Sequence, residues 1–475
     1  MNLTRIRLAL LCITPIAPLA ARADTLSLEQ CVSIALRESP DTVSADYEVA
    51  AAIARKHSAF GAYGPRLHLD AGIQRWNNEF SAPLFGLLPQ YCTSCVWDPV
   101  LDSSGNPVQT KDAKGNLVNV LKIQTDNLVF RPQVTWSVGV TIAQPIASLW
   151  TVSEANQLAK LGIDVAEIKR KSAQRDVAFQ VTEAYYRLLQ AKRMAGVAES
   201  SVEQVTAQVN RARTFFERGA VARNDVLRAQ LGLAAAQQRL IQARGGVTLA
   251  RGRLATLMGR SPDSPIDAMD LAGEPPVAAP ILVDQAEQQA VGTRFELKEI
   301  AAHIDQATAG VRLAKSKMMP QVNAVANYTR ATSSLLALPE SWFIGATASW
   351  DIWEGGSTYY GIDESKAQLA QGLEARRKAE DMIRLDVRNA HVGVTTAAEA
   401  MDVAKHAVEQ AEENFRIEQR RYESASNTSF DVLDAETQLT TARGQHQAAI
   451  YDYVIAQSNL ARAMGEKHPA LKAAQ

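Results

Sequence analysis

From Val177 to Phe216 apolar side chains recur at alternating spacings of four and three: Val177, Val181, Ala184, Leu188, Ala191, Ala195, and on in the same rhythm. This is the seam of a long helix. A shift of 206 positions finds the seam again as Ile383, Val387, Ala390, Val394, Ala397 and Met401, continuing to Phe415. Each seam breaks and then resumes, from Val226 to Leu257 in the first copy and from Val432 to Ala463 in the second. Alanine at alternate seam positions lets two antiparallel helices approach closely. Each copy therefore predicts a helical hairpin. At 1.5 Å per residue, a helix from about Val152 to Phe216 reaches on the order of 100 Å, longer than a compact domain needs.

The same shift aligns "FERGAVARNDVLRAQL" with "YESASNTSFDVLDAET" and continues without a gap to Met258-Gly259 over Met464-Gly465. The chain is an internal repeat. Between the arms, Gly219 suits the left-handed conformation that ends a helix, and Asn224 or Asp225 suits the cap of the next one. Asp-Val-Leu is then the first turn of each returning arm.

Outside the hairpins the period changes to two. In residues 133–145, Val134, Trp136, Val138, Val140 and Ile142 alternate with small or polar residues, and residues 341–352 alternate likewise around Trp342, Ile344 and Trp350. Residues 65–76 and 320–331, each opened by proline, complete four expected strands of about ten residues. A water-soluble sandwich would bury the tryptophans as core. A membrane barrel would place them in an interfacial belt, and strands with one small polar face suit it better. Four strands cannot close a barrel, so several chains would have to contribute. A Gly/Pro/Asn/Asp-rich insertion spans about residues 77–132, whereas the second strand pair turns within "ATSSLLALPE". The proline-rich stretch at residues 260–280 reads as an extended link.

The remaining features narrow the class. "MNLTRIRLALLCITPIAPLAARAD" has the basic, apolar and small-residue regions of a signal peptide cleaved after Ala23. Beyond it no apolar run is long enough for a membrane-spanning helix, a test that a β-barrel escapes. Net charge is −1 with 21% charged residues, which disfavours nucleic-acid binding. Cys31 reads as a small buried apolar residue. Cys92 and Cys95, in "CTSC", could form a redox or metal pair, but a local disulfide is the expectation for an exported loop with no second pair and no nearby histidine. Nucleotide-binding, zinc-protease and serine-hydrolase motifs are absent and the histidines are scattered, so neither an enzyme nor a cofactor is expected.

The N-terminal phrase "LSLEQCVSIALRESP", the repeat register and the paired hairpin tips together resemble the TolC family of outer-membrane efflux proteins. The resemblance covers essentially the whole mature chain. It implies a mainly α fold with membrane β-barrel strands: a homotrimer with a twelve-stranded β-barrel in the outer membrane, continued across the periplasm by a long twelve-helix α-barrel. The division it implies is a signal peptide at 1–23 and a first repeat at 24–259, with an N-terminal helix, two strands within about 65–144 and a hairpin at about 152–258. A linker at 260–285 follows. The second repeat, 286–475, has a helix, strands within about 320–352, a hairpin at about 358–464 and a tail.

The implied function is that of a passive channel of a tripartite efflux or type I secretion system. Its partners are a periplasmic adaptor (membrane fusion protein), an inner-membrane pump and outer-membrane lipid. By position the family's tip glycine falls on Gly219 and its tip aspartates on Asp225 and Asp431. Asp434 falls on a second acidic aperture residue and Tyr422 on a gate tyrosine; copy one has Arg228 at the position of Asp434, so three chains could juxtapose rings of Asp431 and Asp434 with three Arg228. The adaptor-contacting tips would be Gly219, Ala220 and Val221 with Ala425, Ser426 and Asn427. Ala425 and Asn427 depart from the family's glycine and arginine there. Helix capping alone also explains Asp225 and Asp431, and the two roles are compatible. Two rivals stand beside the channel: a periplasmic coiled-coil tether, which leaves the strands unexplained, and a stand-alone diffusion porin, which leaves the rods unexplained.

Overall fold

A computed structural model of the chain describes residues 24–83, 96–124, 127–270, 273, 275–277, 281–332, 339–424 and 426–468. The expected signal peptide, the Cys92/Cys95 pair and Ala425 lie outside the described residues.

The chain opens with β1 (Asp24–Leu26), α1 (Leu28–Glu38) and α2 (Pro40–Gly61). The strands β2 (Arg66–Arg75), β3 (Phe80–Pro83), β4 (Val96–Pro99), β5 (Gln109–Lys111), β6 (Leu117–Asn119), β7 (Leu121–Gln124), β8 (Asn127–Arg131) and β9 (Val134–Pro145) follow. Then come α3 (Leu149–Glu217) and α4 (Arg223–Leu257). After β10 (Ile266–Ala268), α5 (Val283–Thr293) and α6 (Phe295–Ser316) lead to β11 (Gln321–Ala331) and β12 (Glu340–Ser349). The chain ends in α7 (Ser357–Glu423) and α8 (Ser429–Ala463). Both hairpins thus pair a helix of nearly seventy residues with a return arm of 35.

Two compact units emerge, and each draws on both repeats. One comprises the chain up to Arg55, Ala159–Thr308 and the chain from Lys366; the other comprises Lys56–Leu158 and Ala309–Ser365.

In the first unit the seams do what their spacing requires. Val177, Val181, Ala184 and Leu188 of α3 pack with Leu254 of α4 and Met258 just beyond it in one core, together with Cys31, Val32 and Ala35 of α1. Helix α1 begins there because Ser27 and Gln30 form a reciprocal cap: the Ser27 N–H donates to Gln30 Oε1 at 2.9 Å and the Gln30 N–H to Ser27 Oγ at 3.3 Å. The link after α4 is only partly irregular. Its β10 pairs in parallel with β1, and Tyr185 clamps the pair by donating to Met269 O at 2.6 Å. Burial pushes the Tyr185 phenol up to about 12. Arg175 of α3, almost wholly buried, donates to Glu296 at 2.9 Å, and Arg294 joins Glu296 at 2.8 Å to Asp386 of α7 at 2.5 Å. Burial alone would raise the Glu296 carboxyl, but hydrogen bonds from Arg294 and Arg175 outweigh it and hold the group at about 2.

In the second unit the long strands form one antiparallel sheet in the order β12-β11-β9-β2. Register places Leu67, Ile142, Ala326 and Ile344 in one cross-strand row, and Leu69, Val140, Tyr328 and Trp342 in the next. The other face carries His68, Thr141 and Asn327, with Asn327 Nδ2 donating to Thr141 Oγ1 at 2.9 Å. A Cβ at Gly139 would lie 2.7 Å from the Asp70 carboxylate across the strand pair, so that side chain would have to turn aside.

The closed barrel that the resemblance implied is not the fold of this chain. The chain is helix-rich with an open four-stranded sheet, β2 and β12 each pairing on one side only among the described strands. The physical reason is strand number: about eight are needed before a twisted sheet closes on itself. Neither the trimer nor the twelve-helix ring is a property of the single chain. No described helix is long and apolar enough to cross a membrane.

Candidate functional site at the hairpin tips

The break after α3 is a glycine-closed helix end. Gly219 has φ +74°, its N–H donates to Phe216 O at 2.9 Å, and the Ala220 N–H reaches back to Phe215 O at 2.8 Å. Only glycine adopts this backbone without strain, and the two bonds satisfy carbonyls that the helix leaves open. Helix α4 restarts from Ala222, which has no side-chain capping bond. The expected cap by Asn224 or Asp225 on their own helix is therefore not used.

Asp225 acts across the hairpins instead. Its Oδ2 accepts from the backbone N–H of Ser429, the first residue of α8, at 3.4 Å. Ser429 is fully buried, and its Oγ donates to Tyr422 Oη at 3.0 Å. The Tyr422 ring, 1% exposed, lies 5.5 Å from that of Phe215. Burial raises the Tyr422 phenol, while the Ser429 bond opposes that rise. Residues from α3, α4, α7 and α8 thus meet in one cluster at the tips.

Asp431, aligned with Asp225 in the repeat, has the other role. Its Oδ2 accepts from the Thr428 N–H at 2.9 Å and from Thr428 Oγ1 at 2.8 Å, which anchors the first turn of its own helix. The backbone bond, then the hydroxyl bond, hold its carboxyl below the usual range. Asp434 is exposed and accepts from Gln438 at 2.7 Å. Arg228 is exposed on α4. Asn427 donates through Nδ2 to Glu418 Oε2 at 2.6 Å and to Glu418 O at 3.1 Å, tying the second tip to α7. Gly219, Ala220 and Ser426 are exposed, and Val221 is half-buried.

The structure brings together Tyr422 and Asp225, and it leaves Asp434 and Arg228 at the surface. It adds residues that the repeat reading passed over: Phe215, Ser429, and a cavity of about 280 Å³ between α3, α7 and α8. That cavity is lined by Gln208, Arg211 and Glu436, and the buried Glu436 accepts from Ser201 at 2.6 Å and Thr440 at 2.7 Å. The signal for Ser429 and Glu436 was their mismatch with copy one, which has Arg223 and Gln230 at those positions.

The chain matches the family described as outer membrane efflux protein over residues 31–260 and 286–466. It is 22% identical over 375 residues to the outer membrane efflux protein BepC of Brucella suis, covering 73% of this chain and 80% of that one. It is 21% identical over 314 residues to the outer membrane protein TolC of Salmonella enteritidis, 63% of each chain, so it spans less than two thirds of that relative's length. Among solved structures, the Campylobacter jejuni outer membrane channel CmeC shares the fold at TM-score 0.69 and 15% identity, covering 100% of this chain and 96% of that one. The Vibrio cholerae outer membrane protein VceC does so at TM-score 0.66 and 15% identity, covering 92% and 96%.

The chain belongs to the outer membrane efflux protein family, the TolC family. These proteins are channel components of the outer membrane, and the chain is not an enzyme.

Proposed function

We propose that this chain is the outer-membrane channel of a tripartite efflux or type I secretion system, passively conducting substrates delivered by an inner-membrane pump through a periplasmic adaptor. The observation that carries the reading is the four-stranded sheet. Leu67, Ile73, Trp342 and Ile344 on its apolar face are each more than 70% exposed, while the opposite face carries His68, Thr141 and Asn327, with Phe343 as an exposed aromatic among them. An apolar surface of that extent requires lipid or a partner, and a polar reverse face suits an aqueous lumen.

The working unit is a homotrimer. Its support is the pair of open sheet edges together with apolar side chains left exposed on the outer helices: Leu231 and Leu249 on α4, Val392 and Val403 on α7. Open edges and apolar stripes of this kind are covered when copies associate. Residues 1–23 are a signal peptide removed after Ala23, and the two repeats flank the 260–285 link. Gly219, Ala220 and Val221 with Ser426 and Asn427 form the surface that meets the adaptor.

At the periplasmic aperture, Asp431 and Asp434 supply negative charge and Arg228 positive charge, and the Tyr422–Ser429–Asp225 cluster holds the two hairpins together. Rings of carboxylate favour cations in a pore. In planar bilayers, replacing both aspartates (Asp431→Asn with Asp434→Asn) lowers cation preference several-fold. Unchanged conductance and unchanged selectivity would refute the aperture assignment. In cells, deleting the gene raises sensitivity to toxic organic compounds, an outcome that neither a tether nor a diffusion porin produces.

A further inference from the structure

A second cavity, of about 800 Å³, lies in the helical unit between α3, α5, the start of α6 and the residues just after α8. Its charged lining is one-sided: Arg170, Lys171, Arg175, Lys298 and Lys467 against the single carboxylate of Glu466. The arginines are already engaged, Arg175 with Asp176 and Glu296 at 2.9 Å and Arg170 with Asp46 at 3.8 Å. Glu466 accepts from Gln289 at 3.5 Å. Lys171, Lys298 and Lys467 make no ion pair with a carboxylate among the described residues, so three ammonium groups line one concavity whose only lining carboxylate is Glu466. Phe295 forms an aromatic wall between two of these cations, its ring centre 5.3 Å from Lys298 Nζ and 5.5 Å from the Arg175 guanidinium.

We propose that this cleft is a binding site for a soluble organic anion carrying two or more carboxylate or phosphate groups. Like charges crowded into a concave surface repel one another and concentrate anions from solution. Ammonium–anion hydrogen bonds are the strong class of such bonds. The cavity is also of the size that small-molecule sites occupy. Phe295 offers an apolar surface to the carbon skeleton, and Gln174 adds a neutral polar side chain to the lining. The site shares no lining residue with the aperture.

The test is calorimetric titration of the full-length, detergent-extracted protein with citrate and with pyrophosphate, against sodium chloride at matched ionic strength. Saturable binding of one anion per chain is expected, weakening as salt is added. Combining Lys171→Gln with Lys298→Gln weakens it about tenfold or more, while Lys160→Gln on the same helix leaves it unchanged. Unfolding temperature without the anion checks that the double variant folds, and Lys467→Gln gives an independent reading if it does not. Absence of saturable binding, or equal affinity in the lysine variants, overturns the proposal.

Discussion

At the scale of single residues, the tips are held by a short chain of bonds that passes between the repeats. Ser429 links them, giving its N–H to Asp225 and its hydroxyl to Tyr422. Removing the phenol oxygen (Tyr422→Phe) leaves a buried hydroxyl without its partner, which costs about 1–3 kcal/mol. Hydrogen exchange in the first turn of α8 then accelerates roughly tenfold or more, since about 1.4 kcal/mol is a factor of ten in an opening equilibrium. Unchanged protection would show that the bond does not hold the tip. Cys31 makes a different residue-scale case. It is fully buried, and burial pushes its thiol up to about 11 despite the opposing charge of Arg260. At pH 8 only about a thousandth is thiolate. In a Cys92→Ala, Cys95→Ala background it therefore resists iodoacetamide until the protein is unfolded, and rapid labelling of the native protein would contradict this.

At the scale of elements, the heptad seams made the hairpins legible, because a three-four spacing repeated over forty residues has no reading other than a packed helix. Gly219 was legible for the same kind of reason, since a helix end of that geometry needs φ above zero. The division of labour between the copies was not legible. The repeat aligns Phe216 with Tyr422, yet Tyr422 is buried while Phe216 is 44% exposed and its neighbour Phe215 makes the ring contact. Likewise Asp225 and Asp431 share a register but cap different partners. Sequence alignment equates positions; packing against the other hairpin distinguishes them. The ion network of Arg175, Glu296, Arg294 and Asp386 was also invisible, because its members lie far apart in the chain. It ties α3, α6 and α7, and its pH dependence has a defined sign. A carboxyl held low in the folded chain stabilises it above the ordinary value of 4.5, and that contribution is lost as pH falls toward about 2. Glu296→Gln thus lowers the unfolding temperature at pH 7, and the gap from the wild type narrows between pH 4.5 and pH 2. A gap that stays constant over that window would exclude the mechanism.

At the scale of the molecule, strand alternation identified the sheet, and the strand count already barred a single chain from closing it. The chain has the fold of outer membrane channels, yet by itself it leaves two sheet edges and an apolar face open. In the proposed trimer, association of copies covers both. The most direct measurement is the mass of the mature protein extracted from outer membranes, corrected for bound detergent. Three chains per particle are expected. A monomer would leave the sheet edges unpaired and contradict the channel account.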